Sequence, residues 1–153
     1  DKRNNNILFP ADPNRVSKNF PLAKKSFNAL GDTNHELKLL YNRSHEENNN
    51  KLQTCYCVLM TSRWEGSPNI IKEAMACNTP IIATRVGDIE SLIRDVKGCY
   101  LTEDTPKSIS AGIHKAILYA QESIHTNGRE KLKDLKLDSD SIADEIIELY
   151  ERA

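Results

Sequence analysis

The sequence lacks most of the features that mark exported, membrane-spanning or nucleic-acid-binding proteins. No apolar run approaches the roughly 18 residues that a membrane span requires, and no basic start followed by an apolar stretch marks the chain for export. Its 21 basic and 22 acidic residues leave a net charge of −1, so no general attraction to nucleic acid or to an anionic membrane is expected. We therefore expect a cytoplasmic protein without a nucleic-acid partner.

Metal-binding cysteine pairs and glycine-rich phosphate loops are missing as well. The four cysteines, Cys55, Cys57, Cys77 and Cys99, form no C-x-x-C pair, which argues against a zinc site and against a redox motif. Buried, reduced thiols are the expectation for all four. Neither G-x-G-x-x-G nor G-x-x-x-x-G-K-S/T occurs, which argues against a dinucleotide-binding function and against a P-loop function.

The length of 153 residues is that of one domain, large enough to bury a core without disulfides or metals. The chain has no initiator methionine, and a polar start, residues 1–6, directly precedes an apolar segment. Such a start is typical of a piece of a longer protein. We expect residues 1–153 to be a single domain of a larger enzyme.

Short apolar runs alternate with amphipathic stretches, which is the pattern of a parallel sheet covered by helices on both faces. The predicted class is therefore α/β. The run at Cys55–Thr61 is almost continuously apolar, which predicts a central strand. The predicted strands are Ile7–Phe9, Leu37–Tyr41, Cys55–Thr61, Pro80–Thr84 and Cys99–Leu101.

Apolar residues at helical spacing predict the helices between these strands. Only a weak helix is expected near Lys51, and the asparagine runs at 4–6 and 48–50 are interpreted as solvated turns. The other predicted helices are Leu22–Leu30, Pro68–Cys77, Ile89–Arg94 and Pro106–Glu122, with one or two amphipathic C-terminal helices in residues 128–153.

The segment after the third predicted strand is the richest in ligand-binding features. In an open parallel sheet, ligands bind beyond the carboxyl ends of the strands. Ser67 is a plausible N-cap and Pro68 suits the first helical position, so the amides of Asn69 and Ile70 would point to the strand ends. A helix start of this kind is a ready anion site, and Gly66 lets the backbone come close to a ligand.

Two acidic residues lie near this predicted anion site. Glu73 follows Asn69 by four residues, which places both on one face of the helix, and Glu65 lies in the loop before it. Carboxylates accept hydrogen bonds from sugar hydroxyls while helix amides hold phosphate, so the combination favours a nucleotide sugar. The alternative for Glu73 is a surface glutamate paired with Lys72 or another base.

Two cations follow the first predicted strand. Arg15 and Lys18 reach the same edge of the sheet, where they could neutralise a diphosphate and stabilise its departure. Taken alone, cations in a loop are more often residues that keep a surface soluble.

Residues 65–77, followed by 80–84 and 86–88, resemble the E-x7-E region of the retaining glycosyltransferase family 4, the glycosyl transferases group 1, of the bacterial polysaccharide or O-antigen type. The segment from Phe9 to Leu22, with Lys18 and Asn19, resembles the first strand and phosphate loop of that family. The resemblance implies a GT-B enzyme, built from two Rossmann-like domains that face each other across a cleft. This chain would be the C-terminal, donor-binding domain, without the N-terminal acceptor domain.

The resemblance also implies a role for each matching residue. Glu73 would bind the ribose hydroxyls, Glu65 the donor sugar, and Arg15 and Lys18 the diphosphate. The resemblance also implies transfer with retention of configuration, by front-face departure in which the leaving diphosphate itself deprotonates the acceptor, without a bound metal, a cofactor or a protein nucleophile. The backbone that would hold the sugar and the diphosphate belongs to Gly66, Ser67, Pro68, Asn69 and Ile70.

The chain departs from the family pattern at three points. Arg15 stands three residues before Lys18, whereas the commoner spacing is five. Between Tyr41 and Cys55 the chain is shorter than in most members and lacks a strand whose end helps to hold the base, so Tyr41, Asn42 and Arg43 are the candidates for that pocket. Asn78 replaces the usual glycine after the helix and tolerates the left-handed conformation needed there.

The resemblance implies a UDP-sugar as donor and, through the missing domain, a glycan or lipid-linked acceptor in surface polysaccharide synthesis. Membrane association of the whole enzyme stays open. The alternatives are a nucleotide-sugar epimerase or a phosphorylase of the same fold, and a non-catalytic nucleotide-binding module. An epimerase should carry further acids and a catalytic histidine near the cleft, and a phosphorylase a cofactor lysine; neither pattern is visible in the sequence.

Overall fold

The computed structural model describes residues 3–32, 34–122, 125–142 and 147. Strands and helices alternate along the chain, and a 3-10 helix at Val16–Lys18 precedes the first α-helix. None of the helices in these ranges is long and apolar enough to cross a membrane. The strands are β1 (Asn6–Phe9), β2 (Glu36–Leu39), β3 (Cys57–Met60), β4 (Ile81–Thr84) and β5 (Tyr100–Thr102). The helices are α1 (Phe20–Ala29), α2 (His45–Thr54), α3 (Asn69–Ala76), α4 (Ile89–Ile93), α5 (Pro106–Glu122) and α6 (Gly128–Asp134).

The five strands form one parallel sheet in the order β2-β1-β3-β4-β5. All four residues of β3 are buried, and its neighbours are β1, where Ile7 pairs with Cys57, and β4, where Val58 pairs with Ile81. A strand covered on both faces and both edges has no position for a polar side chain, which explains the continuous apolar run. The predicted α/β class and the central place of this strand are confirmed.

Helices cover both faces of the sheet, because successive side chains of each strand point to opposite sides. Val58 and Met60 face one core with α2, α3, α4 and α6, whereas Cys57 and Leu59 face the other core with α1 and α5. Ile71 and Met75 are fully buried in the first core. Each such side chain contributes about 1.5–3 kcal/mol, which fixes α3 against the sheet.

The helix α2 corrects two predictions. It spans ten residues, where only a weak helix near Lys51 was expected, and the asparagines at 48–50 lie inside it rather than in a turn. The helix is strongly polar and buries only Leu52 fully, so it shows little hydrophobic periodicity. Its start is fixed instead by a capping box, in which Ser44 and Glu47 satisfy each other's backbone amides. The first asparagine run also differs from the prediction, since β1 begins at Asn6.

The end of α3 is tied to the C-terminal part of the domain. Asn78 adopts φ 52°, the left-handed conformation expected for it. Its side-chain oxygen accepts from the amide of Arg129 at 2.8 Å, and its carbonyl accepts from the amide of Thr126 at 3.0 Å. Of the predicted C-terminal helices, α6 is confirmed, whereas most of the stripe expected after residue 141, including Ile146 and Leu149, lies outside the described residues.

Candidate functional site

The strand order places a switch point between β1 and β3. The chain leaves β1 towards β2 on one side of the sheet, and the remaining strands add on the other side. At such a point the two loops that follow neighbouring strands diverge and leave a crevice, where ligands bind in open α/β sheets. In this protein the loops concerned are the β1–α1 loop, which carries Arg15 and Lys18, and the β3–α3 loop, which carries Glu65 and Gly66.

Hydrogen bonds join the β1–α1 loop to the carboxyl end of β3. The hydroxyl of Thr61 donates to the carbonyls of Lys18 and Asn19 at 3.1 and 3.0 Å, and the amide of Arg63 donates to the carbonyl of Ser17 at 2.8 Å. Asn19 turns the chain into α1 with φ 56°. These contacts fix the backbone position of Lys18 relative to β3.

Lys18 and Glu65 form an ion pair at the switch point. The ammonium of Lys18 contacts Oε1 of Glu65, and the two side chains are only 15% and 12% exposed. The hydroxyl of Ser62, a buried residue, donates to the same Oε1 at 2.8 Å. No hydrogen bond from the described residues reaches Oε2, so one carboxylate oxygen is oriented and left for a ligand.

The backbone of the β3–α3 loop rests on the segment that follows β4. The amide of Asp88 donates to the carbonyl of Gly66 at 3.2 Å. Gly87 has φ 55°, and a Cβ atom there would lie 2.2 Å from the carbonyl oxygen of Gly66 and 2.5 Å from that of Glu65. Only glycine fits such a close approach. The missing side chain of Gly87 therefore allows the backbone of the β3–α3 loop to pack directly against this position.

The start of α3 lies one residue later than predicted. Pro68 occupies the N-cap position rather than the first helical position, and Ser67 is exposed and does not cap the helix. A proline at the N-cap offers no side-chain oxygen to the first turn. The amides of Asn69 and Ile70 lie in that first turn, where an N–H group has no carbonyl partner within the helix. That these amides hold an anion stays a prediction.

Glu73 lies on α3, one turn after Asn69, and is half-buried. Its carboxylate makes no ion pair and no hydrogen bond with the residues that the structure describes, and the alternative pairing with Lys72 is not formed. A carboxylate held on a packed helix without a partner is suited to accept hydroxyl hydrogen bonds.

The other predicted residues lie apart from the Lys18–Glu65 pair. Arg15 is exposed before the 3-10 helix and has no ion pair within the described ranges. Tyr41, Asn42 and Arg43 are exposed at the carboxyl end of β2, and Arg43 lies 3.9 Å from Glu47. The structure thus joins the side chains of Lys18 and Glu65 directly, whereas the amide of Lys18 donates to the carbonyl of Arg15 at 3.0 Å and no side-chain hydrogen bond or ion pair joins Lys18 or Glu65 to these four residues.

A polar cleft that the sequence did not predict lies beside the switch point. It has a volume of about 740 Å³ and lies at the carboxyl ends of β3, β4 and β5. The carboxyl ends of β3, β4 and β5 each contribute a threonine to its lining. This repeated threonine is visible in the sequence and could have indicated the cleft. The cleft is lined by Asn19, Leu22, Thr61, Ser62, Arg63, Thr84, Arg85, Val86, Thr102, Glu103 and Asp104.

The four cysteines are free thiols in the structure, as expected. Cys55 and Cys57 are completely buried, and Cys77 and Cys99 are half-buried. Burial raises the pKa of the Cys55 thiol to about 12, although the nearby guanidinium of Arg3 acts in the opposite direction. Within the described part of the chain, no three His, Cys, Asp or Glu side chains lie close enough together to hold a metal ion.

The fold, a five-stranded parallel sheet flanked by helices, matches the GT-B glycosyltransferase structures. Residues 21–118 match the family described as glycosyl transferases group 1. The chain belongs to this family.

Two relatives from Methanocaldococcus jannaschii are similar in sequence. The uncharacterized glycosyltransferase MJ1178 is 29% identical over 97 residues, which make up 61% of this chain and 28% of that protein. The uncharacterized glycosyltransferase MJ1059 is 31% identical over 81 residues, 46% of this chain and 20% of that protein. The matched part of this chain thus corresponds to less than a third of each relative.

Three solved structures share the fold. A TarM variant from S. aureus, in complex with Fondaparinux, alpha-GlcNAc-glycerol and UDP, has a TM-score of 0.69 and 16% identity over 97% of this chain and 36% of its own. AviGT4, a glycosyltransferase involved in Avilamycin A biosynthesis, has a TM-score of 0.68 and 14% identity over 99% of this chain and 52% of its own. A sucrose-phosphate synthase from Thermosynechococcus elongatus has a TM-score of 0.65 and 19% identity over 96% of this chain and 37% of its own.

Proposed function

We propose that this chain is the donor-binding domain of a retaining glycosyltransferase of family 4 and that its donor is a UDP-sugar. The observation that carries the proposal is the pairing of Lys18 with Glu65 at the switch point. A cation suited to a diphosphate and a carboxylate suited to a sugar hydroxyl lie there side by side. UDP in the TarM complex supports a uridine donor.

The remaining site residues extend this arrangement along the donor. Glu73 would accept the ribose hydroxyls, because its carboxylate lies one turn behind the anion-binding start of α3. The amides of Asn69 and Ile70 would hold the diphosphate, helped by the partial positive charge of the helix start. The backbone of Gly66 would lie beside the sugar. Tyr41, Asn42 and Arg43 would border the base.

In the proposed reaction the chain stabilises the departing diphosphate. Lys18 and the first amides of α3 neutralise the charge that develops on the leaving oxygen, and Arg15 closes on the diphosphate from its exposed loop. The bond between the anomeric carbon and the diphosphate breaks, the acceptor hydroxyl oxygen bonds to that carbon on the same face, and the departing diphosphate takes the proton of that hydroxyl. No protein nucleophile, metal or cofactor takes part.

The acceptor would be a glycan or a lipid-linked glycan, bound largely by an N-terminal domain, and the product a surface polysaccharide. The lengths of the two relatives support a second domain, because the match to this chain covers only 28% of one relative and 20% of the other. The cytoplasmic location of the enzyme stays a prediction.

Calorimetric titration of this chain with UDP, UDP-GlcNAc, UDP-GalNAc and GDP-mannose tests the proposal. We expect a uridine ligand to bind and Glu73→Ala to weaken its binding by about 1–3 kcal/mol, the effect of losing a hydrogen bond to a charged group. Glu122→Ala is the matched control, because Glu122 is an exposed acid at the last residue of α5, a helix that contributes none of the proposed donor-site residues.

Two results would contradict the assignment. Binding of GDP-mannose without binding of any uridine ligand would show that the base is wrong, and equal affinities for Glu73→Ala and Glu122→Ala would remove the ribose role. The same titration cannot distinguish an enzyme from a non-catalytic module or an epimerase. A transfer assay on the full-length protein does, since only a retaining transferase releases UDP while forming a product with the donor's anomeric configuration.

A further inference from the structure

The polar cleft lies at the carboxyl ends of β3, β4 and β5, and none of the residues that line it belongs to α3. Its lining reaches both faces of the sheet, because Leu22 packs against the core shared by α1 and α5, whereas Val86 packs against the core on the other face. Glu73 belongs to α3, which packs in this second core. The Lys18–Glu65 pair lies at the switch point between the two faces. The cleft is therefore separate from the ribose side of the proposed donor site.

One residue connects the cleft with the proposed donor site. Ser62 lines the cleft, and its hydroxyl donates to Oε1 of Glu65 at 2.8 Å. A donor whose ribose lies at Glu73 and whose sugar lies at Glu65 would therefore end at the border of the cleft. The sugar of that donor would then lie beside a molecule bound there.

The hydroxyls that line the cleft are already used within the protein. Thr61 donates to the β1–α1 loop, Thr84 donates to the carbonyl of Ser62 at 2.8 Å, and Thr102 donates to the carbonyl of Ala83 at 3.5 Å. The hydroxyl of Ser62 donates to Glu65. All four hydroxyl protons are therefore used within the protein, and towards a ligand these groups can act only as acceptors.

The other polar side chains that line the cleft include two cations and two carboxylates. Arg63 and Asp104 are exposed, and their side chains form no ion pair or hydrogen bond with other residues in the described ranges. Arg85 lies 2.7 Å from Glu90 and 3.7 Å from Glu103, so its charge is already shared. Two cations and two carboxylates leave no net charge for a phosphate group to meet.

Such a lining fits a neutral ligand with many hydroxyls. Carboxylates accept hydrogen bonds from hydroxyl groups, and guanidinium groups donate to their oxygens. The volume of about 740 Å³ is also in the range of small-molecule sites. We propose that this cleft binds the sugar or polyol part of the acceptor, with Arg63 and Asp104 as its binding residues. Its role as an acceptor subsite rests on the proposed function, whereas binding itself does not.

Two-dimensional NMR of this chain tests the proposal, with methyl α-glucopyranoside, the methyl α-glycoside of N-acetylglucosamine, glycerol and inorganic phosphate as probes. Each probe is added with and without UDP. We expect a neutral probe to shift the amide signals of Thr84, Arg85, Thr102 and Glu103. Arg63→Ala and Asp104→Asn should each weaken that binding about tenfold, as expected for one lost hydrogen bond to a charged group. Lys25→Ala, at an exposed cation of α1, should not change it.

The experiment tests the donor site and the acceptor cleft separately. Shifts at Asn69, Ile70 and Glu73 on addition of UDP report on the donor site, independently of the cleft. The acceptor proposal is wrong if no neutral probe shifts the cleft signals at concentrations up to its solubility. It is also wrong if inorganic phosphate alone shifts them, or if Arg63→Ala and Lys25→Ala bind the probes equally. Binding of a neutral probe in the cleft without any binding of UDP would keep the carbohydrate site and reject the donor site.

Discussion

Among the residues that the structure describes, the side-chain partners of the Glu65 carboxylate contact one of its oxygens only. Lys18 and Ser62 both contact Oε1, and the side chain is 12% exposed. A partly buried carboxylate in this setting needs its partners, because an uncompensated charge away from water is costly. The two donors therefore hold the group in place and leave Oε2 without a hydrogen bond from the described residues.

Ser62→Ala removes one of the two donors to Glu65. We predict a loss of about 1 kcal/mol in the free energy of unfolding. We also predict that the preference for the bound UDP-sugar over UDP falls severalfold, because a loosely held carboxylate meets the sugar less well. Calorimetric affinities of wild type and variant for both ligands measure this preference.

Thr79→Val provides the control for this prediction. Its hydroxyl is also buried and donates to the carbonyl of Leu52 at 2.6 Å, far from the switch point. The control should lose stability without changing the preference between the two ligands. If Ser62→Ala lowers stability but leaves that preference at its wild-type value, Ser62 does not position Glu65.

The sequence predicted the charged partners of the site but not what orients them. Lys18 and Glu65 were found because each follows a strand, and strand ends meet at one edge of a parallel sheet. Ser62 was missed because its bond to Glu65 depends on how the loop folds back after β3. Neither charge nor spacing indicates that a serine hydroxyl points at a carboxylate three residues away.

At the scale of elements, the β3–α3 loop depends on the glycine beneath it. Gly87→Ala would place a Cβ atom 2.2 Å from the carbonyl oxygen of Gly66, in a residue with positive φ. We predict that this variant loses clearly more than the roughly 1 kcal/mol expected for the backbone strain alone. It should also lose affinity for UDP, because the loop that carries Glu65 must move.

Gly31→Ala separates strain from contact. Gly31 has φ 67°, but a Cβ atom there meets no atom within 4 Å. Chemical denaturation should show a smaller loss for this variant, and UDP titration should show none. Equal effects of the two variants on UDP binding would mean that Gly87 does not support the loop.

The strands and helices could be predicted where the pattern of apolar residues determines the secondary structure. All five strands and α5 follow from apolar runs and helical spacing, and the boundary of α5 is the one predicted. The helix α2 was underestimated because it is polar and depends on a capping box that a periodicity analysis does not register. The start of α3 was misplaced because Pro68 is compatible with both the N-cap and the first helical position.

At the scale of the whole molecule, buried thiols in the sheet predict a loss of stability in alkali. The pKa of Cys55 is raised by burial from 9.0 to about 12, and that of Cys57 is raised as well. Below about pH 9 both states hold the proton and the contribution is fully present. Between about pH 9 and 12 the unfolded chain releases the proton while the folded chain keeps it, so the free energy of unfolding falls.

Urea unfolding of wild type and Cys55→Ala across this pH range tests that prediction. One such thiol lowers stability by at most about 1.4 kcal/mol per pH unit, and Cys55→Ala should remove its share of the slope. The variant also leaves a small cavity, which lowers stability at every pH and leaves the slope unaffected. Identical slopes for wild type and variant would contradict the account of the buried thiol.

The proposed donor site requires that a diphosphate binds at the switch point, against Lys18. The most direct measurement is the calorimetric affinity of this chain for UDP relative to UMP, which lacks the second phosphate. We predict that wild type binds UDP about tenfold more tightly than UMP and that Lys18→Arg, which keeps the charge, retains a preference. Lys18→Met should abolish the preference. If Lys18→Met still prefers UDP as strongly as wild type does, the diphosphate does not bind at Lys18 and the central claim is wrong.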